Sequence, residues 1–181
     1  MPRWTLKSPN SQRSLRETDF TTALGRLLSD AETRAAFAAD SGAVALQLGV
    51  RAADYGAFTR LAPAGLEAQA QVLLRKRWRA AAALLPATVA LLGSTASALF
   101  FEHALTRWAA SAAEDAHEFC QWLRERRHEL CEREAWRARF AARREGMALN
   151  IVSVRPSGRL ALQVLVRRHR RIREWLVRFG W

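Results

Sequence analysis

Apolar residues recur at helical spacing over most of the chain and switch to strict alternation near its end. Leu24, Leu27 and Leu28 follow Thr18 and Asp19, either of which can cap a helix N-terminus. Ser29 and Asp30 restart the pattern with Ala35, Phe37 and Ala38. Ser41 and Gly42 open a third short helix through Val44, Leu46 and Leu48, which Gly49 stops. A fourth short piece runs from Asp54 to Leu61. The spacing of Leu66, Val72, Leu73, Leu74, Leu84 and Leu85 predicts a long helix from about Pro63 to Leu85. Pro86 fits the first turn of a short helix reaching Leu92, and Ser94 to Trp108 makes another. From Ala112 to about Arg144 the pattern is one long polar helix, broken at most once, with Phe119, Trp122, Leu123, Leu130 and Phe140 as its apolar stripe.

After Gly146 the period becomes two. Leu149, Ile151 and Ser153 alternate with Asn150, Val152 and Val154, and Pro156-Ser157-Gly158 is a turn signal. Leu160, Leu162, Val164 and Val166 then point one way, which predicts a β-hairpin. The last segment has two readings. Ile172, Trp175, Leu176 and Phe179 have helical spacing, while Trp175, Val177 and Phe179 alternate like a strand. A third strand after a turn near residues 168–170 is favoured, because it helps bury the hairpin's apolar face. The expected fold is mainly α: an N-terminal helical bundle, then a small C-terminal α+β lobe with a two- or three-stranded antiparallel sheet. The expected division is a flexible arm over residues 1–17, a helical domain over 18–110, and a long helix plus β lobe over 111–181. Expected core residues are Leu24, Leu27, Phe37, Leu73, Leu84, Phe100, Trp108, Phe119 and Trp122.

Composition changes this picture in two ways. The 181 residues carry 29 Lys+Arg and 17 Asp+Glu, a net charge of +12. Only Lys7 and Lys76 are lysines, so the surplus is arginine. Such a balance favours anionic partners: nucleic acid, acidic peptide or anionic membrane. The charge is also uneven. Eight arginines stand between 155 and 178 (Arg155, Arg159, Arg167, Arg168, Arg170, Arg171, Arg173, Arg178) against Glu174 alone, a local +7. Residues 124–145 hold eight arginines against five glutamates, only +3. Two cysteines exclude a disulfide-stapled scaffold and point to a reducing, cytoplasmic setting. No secretory signal opens the chain. Ala80 to Phe101 is free of charge, but it is mostly alanine and is broken by Pro86 and Gly93. Two buried helices explain it better than a membrane span.

Candidate chemistry is sparse. No GxSxG, HExxH, P-loop or GxGxxG pattern occurs. The sharpest local motif is a repeated HExC unit, His117-Glu118-Phe119-Cys120 and His128-Glu129-Leu130-Cys131. Its ligand types suit zinc, and on one helix all four project opposite the apolar stripe. Eleven residues of straight helix span about 16 Å, however, which separates the two pairs. A solvated Arg/Glu helix is the simpler reading, a zinc-linked dimer the alternative; no metal, cofactor or catalytic residue is assigned. Glu102 and His103 read as a core or boundary pair. The basic lobe carries more information. Arginines interleaved with Trp175 and Phe179 suit nucleic-acid stacking, and strand edges beside arginines suit an acidic peptide added as a strand.

Several segments together resemble a known family. They are residues 18–50 (TDFTTALGRLLSDAETRAAFAADSGAVALQLGV), LEAQAQVLLRKRW (66–78), LLPATVALLGSTASALFFEHALTRW (84–108) and HEFCQWL (117–123). The family is that of small partner proteins encoded beside multinuclear non-haem iron-dependent oxidases, and a related helical family carries a DNA-binding label. The resemblance implies a non-catalytic accessory protein. It would dock on the oxidase, which holds the iron, and present a ribosomally made precursor peptide at its C-terminal lobe. No metal ligand transfers to this chain. The residues expected to hold an acidic peptide are Arg155, Arg159, Arg167, Arg168, Arg170, Arg171 and Arg173. The alternative is a nucleic-acid-binding regulator using the same arginines. No membrane partner is expected.

Overall fold

A computed structural model describes residues 17–105, 107, 109–154, 159–169 and 171–178. Most of the expected arm, Trp108, the 156–158 turn and Phe179 lie outside the described residues. Three short helices open the described chain, each started by an aspartate. Asp19, Asp30 and Asp40 accept from the backbone N–H of Thr22, Glu32 and Ala43 and so cap α1 (Phe20–Ser29), α2 (Ala31–Ala39) and α3 (Ser41–Gln47). Gly49, at φ 70°, turns the chain after α3. The helix α4 (Ala52–Thr59) follows. Ala23, Leu27, Phe37, Val44, Ala45 and Phe58 close the first core, with Leu24 half-buried beside them. Phe58 receives Phe20 and Phe37 edge-on.

The helix α5 (Pro63–Ala82) is the spine: Leu66 belongs to the first core, Leu74 and Ala81 to a second. The second core adds α6 (Pro86–Leu92), α7 (Ala96–Ala104), α8 (Ala112–Glu125) and α9 (Glu132–Arg143). Phe100, Phe119, Trp122 and Leu123 sit at its centre with Ala135 and Ala138. It therefore runs across the expected division at 110/111. No single helix among the described residues is long and apolar enough to cross a membrane; α5 and the Pro86–Ala104 segment meet at 109°.

Polar anchors tie these helices together. Arg77 of α5 forms a two-pronged pair with Asp115 of α8, Nη2 to Oδ1 at 2.6 Å and Nε to Oδ2 at 3.1 Å, with the carboxylate buried. Glu134 of α9 accepts from the Ala87 and Thr88 backbone N–H groups at 2.7 and 2.8 Å and from the Thr88 hydroxyl. A side chain 46 residues away thus satisfies the open N–H groups of α6. The expected long helix breaks at Arg126–Cys131, where Arg127 adopts φ 58° and His128 N–H returns to the Leu123 carbonyl.

The lobe is a three-stranded antiparallel sheet in the order β1 (Met147–Val154), β2 (Arg159–Arg168), β3 (Arg171–Arg178). The strand reading of the last segment holds. The inner face sets Val152, Ala161, Gln163 and Leu165 against α9, all buried. The expected apolar face is the other one: Leu160, Leu162, Val164 and Val166 point outward, and Leu160 is 57% exposed. The physical reason lies in α9. Its close approach suits the small Ala161, and its polar groups engage the inner face directly. Gln163 donates to the Arg133 carbonyl and to Glu174, which also pairs with Arg133 at 2.8 Å. Arg167 donates to the carbonyls of Phe140, Ala141 and Glu145 and lies 5.6 Å over the Phe140 ring.

Replacing Arg167 by Met removes these hydrogen bonds and the ring contact, leaving the last carbonyls of α9 open. We expect a loss of about 2 kcal/mol in urea unfolding, with faster amide exchange in β2 while α1–α4 exchange unchanged. Unchanged β2 protection contradicts the clamp.

Candidate functional site on the C-terminal sheet

Alternation in three paired strands sends one residue set to α9 and leaves the other set bare. The register aligns that outer set in rows: Met147 with Val166 and Arg173, Leu149 with Val164 and Trp175, Ile151 with Leu162 and Val177. Met147, Leu149, Ile151, Leu160, Trp175 and Val177 are each 47–62% exposed. Leu162, Val164 and Val166 fill the middle strand between them, half-buried. Nothing in the described chain covers this face. A contiguous apolar sheet face of this extent marks an interaction surface. The strands β1 and β3 are the sheet's two edges, so backbone hydrogen-bonding groups are also on offer.

Arginines rim one end of the face. Arg168 and Arg171 pair across the β2–β3 turn, where His169 adopts φ 58°, and Arg173 stands one row in. All three are exposed and share an open cleft of about 690 Å³ with His169. The structure therefore brings together Arg168, Arg171 and Arg173 from the expected anion-binding set. Arg159 sits at the far end of β2. Arg167 is committed to α9, so it serves the fold rather than a ligand. Arg155 and Arg170 lie outside the described residues. The lobe's one acid, Glu174, faces inward and pairs with Arg133 and Arg137 of α9, so it does not offset the rim.

The HExC residues part company. Cys120 is fully buried in the second core, and burial pushes its thiol up to about 12. It is therefore not on the solvated face that helical projection gave it, and its thiolate is out of reach at neutral pH. His128 stacks on Trp122 with ring centroids 6.0 Å apart. The Cys131 N–H donates to the Thr88 hydroxyl at 3.1 Å, at the start of α9. His117 faces a cleft between α8, α9 and β1. Among the described residues no three His, Cys, Asp or Glu side chains come together as metal ligands.

Glu102 and His103 do not form the expected pair. Glu102 is exposed and lies 3.6 Å from Arg126, while His103 is buried against Phe100, Phe119 and Trp122. Burial, reinforced by Arg107, lowers the His103 pKa to about 4, and Asp115 only partly opposes this.

Residues 59–125 match the model of a family described as SCO6045-like, C-terminal domain. The matched stretch runs from the end of α4 through α8 and carries most of the second core, without its α9 residues Ala135 and Ala138. It stops short of α9 and the sheet. No curated protein and no solved structure matches the chain.

Because His103 is held neutral in the fold and titrates normally in the unfolded chain, the unfolded state binds the extra proton between about pH 6.5 and pH 4. Stability should fall as pH drops through that window and level off below it, by roughly 3 kcal/mol from this residue. Comparing wild type with His103→Leu by urea unfolding at pH 7 and pH 4.5 isolates the effect. The variant should lose less stability on acidification. Equal losses sink the assignment.

Proposed function

We propose that the chain is a non-catalytic accessory protein that binds a multinuclear non-haem iron oxidase and presents a ribosomally made precursor peptide to it in the cytoplasm. The observation that carries this reading is the outer sheet face: an uncovered apolar surface with Arg168, Arg171 and Arg173 along one end and open strand edges beside it. Such a surface suits an extended peptide whose apolar residues lie on the sheet and whose acids meet the rim. The residues with reactive side chains support a binding role rather than catalysis. Cys120 and His103 are packed in the core, and Asp115 and Glu134 anchor helices. The helical body, with its two joined cores, is a rigid platform for the oxidase. The resemblance of residues 18–123 to oxidase partner proteins supplies the identity of that partner.

A rival reading uses the same rim for nucleic acid, and exposed Trp175 beside Arg173 gives it a stacking platform. The two differ in what they capture. Co-expression with the oxidase and the small peptide encoded beside this chain, followed by affinity purification, should recover all three together. Val164→Glu, placed between Leu149 and Trp175 at the centre of the outer face, should keep its circular dichroism spectrum and lose the peptide at least about tenfold. Tight, steeply salt-dependent binding to duplex DNA with no oxidase recovered overturns the proposal.

A further inference from the structure

A second feature of the lobe lies along the edge of β1. Helices α8 and α9 and strand β1 enclose a cleft of about 380 Å³, within the range of small-ligand sites. His117 lines it from α8, Trp136, Arg139 and Arg143 from α9, and four successive residues, Asn150 to Ser153, from β1. Four in a row means that the strand meets the cleft along its edge, not with one face.

Three buried polar atoms around this cleft have no hydrogen-bond partner: His117 Nδ1, Trp136 Nε1 and Arg139 Nε. An indole N–H and a guanidinium N–H can only donate. Leaving such groups unpaired forfeits their hydration with no return, so native structures rarely gather several in one place. What would satisfy them is an acceptor. The charge agrees. Arg124 pairs with Glu132, while Arg139 and Arg143 have no acidic partner among the described residues. The Arg139 guanidinium carbon lies over the Trp136 ring, 4.5 Å from its centroid. Burial lowers the pKa of His117, and Arg143, Arg139 and Arg124 lower it further against the weaker opposing field of Glu114. The cleft is thus electropositive.

We propose that this cleft is a carboxylate-binding site, in which Arg139, Trp136 and His117 hold one carboxylate group. Entry of the ligand lifts Arg139 off the Trp136 ring, so that both donors turn to the incoming oxygens, with Arg143 supplying charge at the mouth. The fork of Arg139 suits a planar carboxylate, which it can grip with two N–H groups. Two sources offer this group: a free organic acid, and a Glu or Asp side chain on a peptide strand laid along the β1 edge. The favoured source, the peptide, rests on the reading under Proposed function; the carboxylate chemistry does not.

The test is the Trp136 indole N–H signal in ¹⁵N-labelled full-length protein, assigned with Trp136→Phe. Glutarate is titrated first. An extended peptide alternating valine with a single central glutamate follows, then the same peptide with glutamine there. The Trp136 signal should move with glutarate and with the glutamate peptide, and the glutamine peptide should bind about tenfold more weakly. Arg139→Gln and, as a second variant at an exposed position, Arg143→Gln should each weaken the glutarate response while the other indole signals stay in place. Arg139→Lys should not restore it. A Trp136 signal unmoved by every carboxylate, or moved equally by the glutamate and glutamine peptides, overturns the site. A glutarate response in a protein that captures no precursor peptide keeps the site and removes the peptide as its source.

Discussion

Arg167 sets the lobe's polarity. Its guanidinium reaches across the inner face of the sheet to three carbonyls at the end of α9 and rests over Phe140. A helix C-terminus carries partial negative charge and open carbonyls, so an arginine in the middle strand is drawn there. Once it is, alternation leaves no freedom: Ala161, Gln163 and Leu165 share its face and are buried, and Leu162, Val164 and Val166 must face away. The apolar face is bare because a polar contact chose the other one. The outward rim at the β2–β3 turn and the seating of the β1 edge by the α8–α9 cleft follow from that choice.

The helical body holds α9 in place for this. Its inner residues Ala135 and Ala138 belong to the second core, and Glu134 ties it to the start of α6. Arg77 and Asp115 lock α5 to α8, which packs against α9. These contacts join positions 38 to 47 residues apart in the chain. A buried charge pair adds little net stability over apolar packing, but losing one member leaves the other stranded. The arrangement thus favours one register of the helices over its neighbours. Under the proposed function, the peptide surface on the sheet and the oxidase platform on the body thus belong to one connected unit.

Much of the fold was legible in the sequence because its signals are local. Asp19, Asp30 and Asp40 are caps, Pro63 and Pro86 start helices, and the period-two run after Gly146 makes strands. What sequence could not give was decided by contacts between distant positions. Leu160, Leu162, Val164 and Val166 read as a core face by composition, and only α9 shows that they are not. Cys120 projects to the polar side of an isolated helix, yet it is buried in the second core, where α9 packs on α8. Arg167 is one arginine among eight until the end of α9 is placed beside it. The basic rim was visible as a charge surplus; its reduction to Arg168, Arg171 and Arg173 among the described residues needed the register. The cleft around His117, Trp136 and Arg139 joins α8, α9 and β1, and its one trace in the sequence is His117, part of the repeated HExC unit whose simpler reading is a solvated helix and whose alternative is a zinc link.

On the proposed function, a macromolecular partner sits on the bare face of the sheet. Carbene footprinting of the protein alone and in complex with the co-expressed oxidase and precursor peptide reads this residue by residue. The account predicts that labelling of Met147, Leu149, Trp175 and Val177 falls sharply in the complex. Labelling of those four that stays unchanged in a complex that demonstrably forms would contradict it.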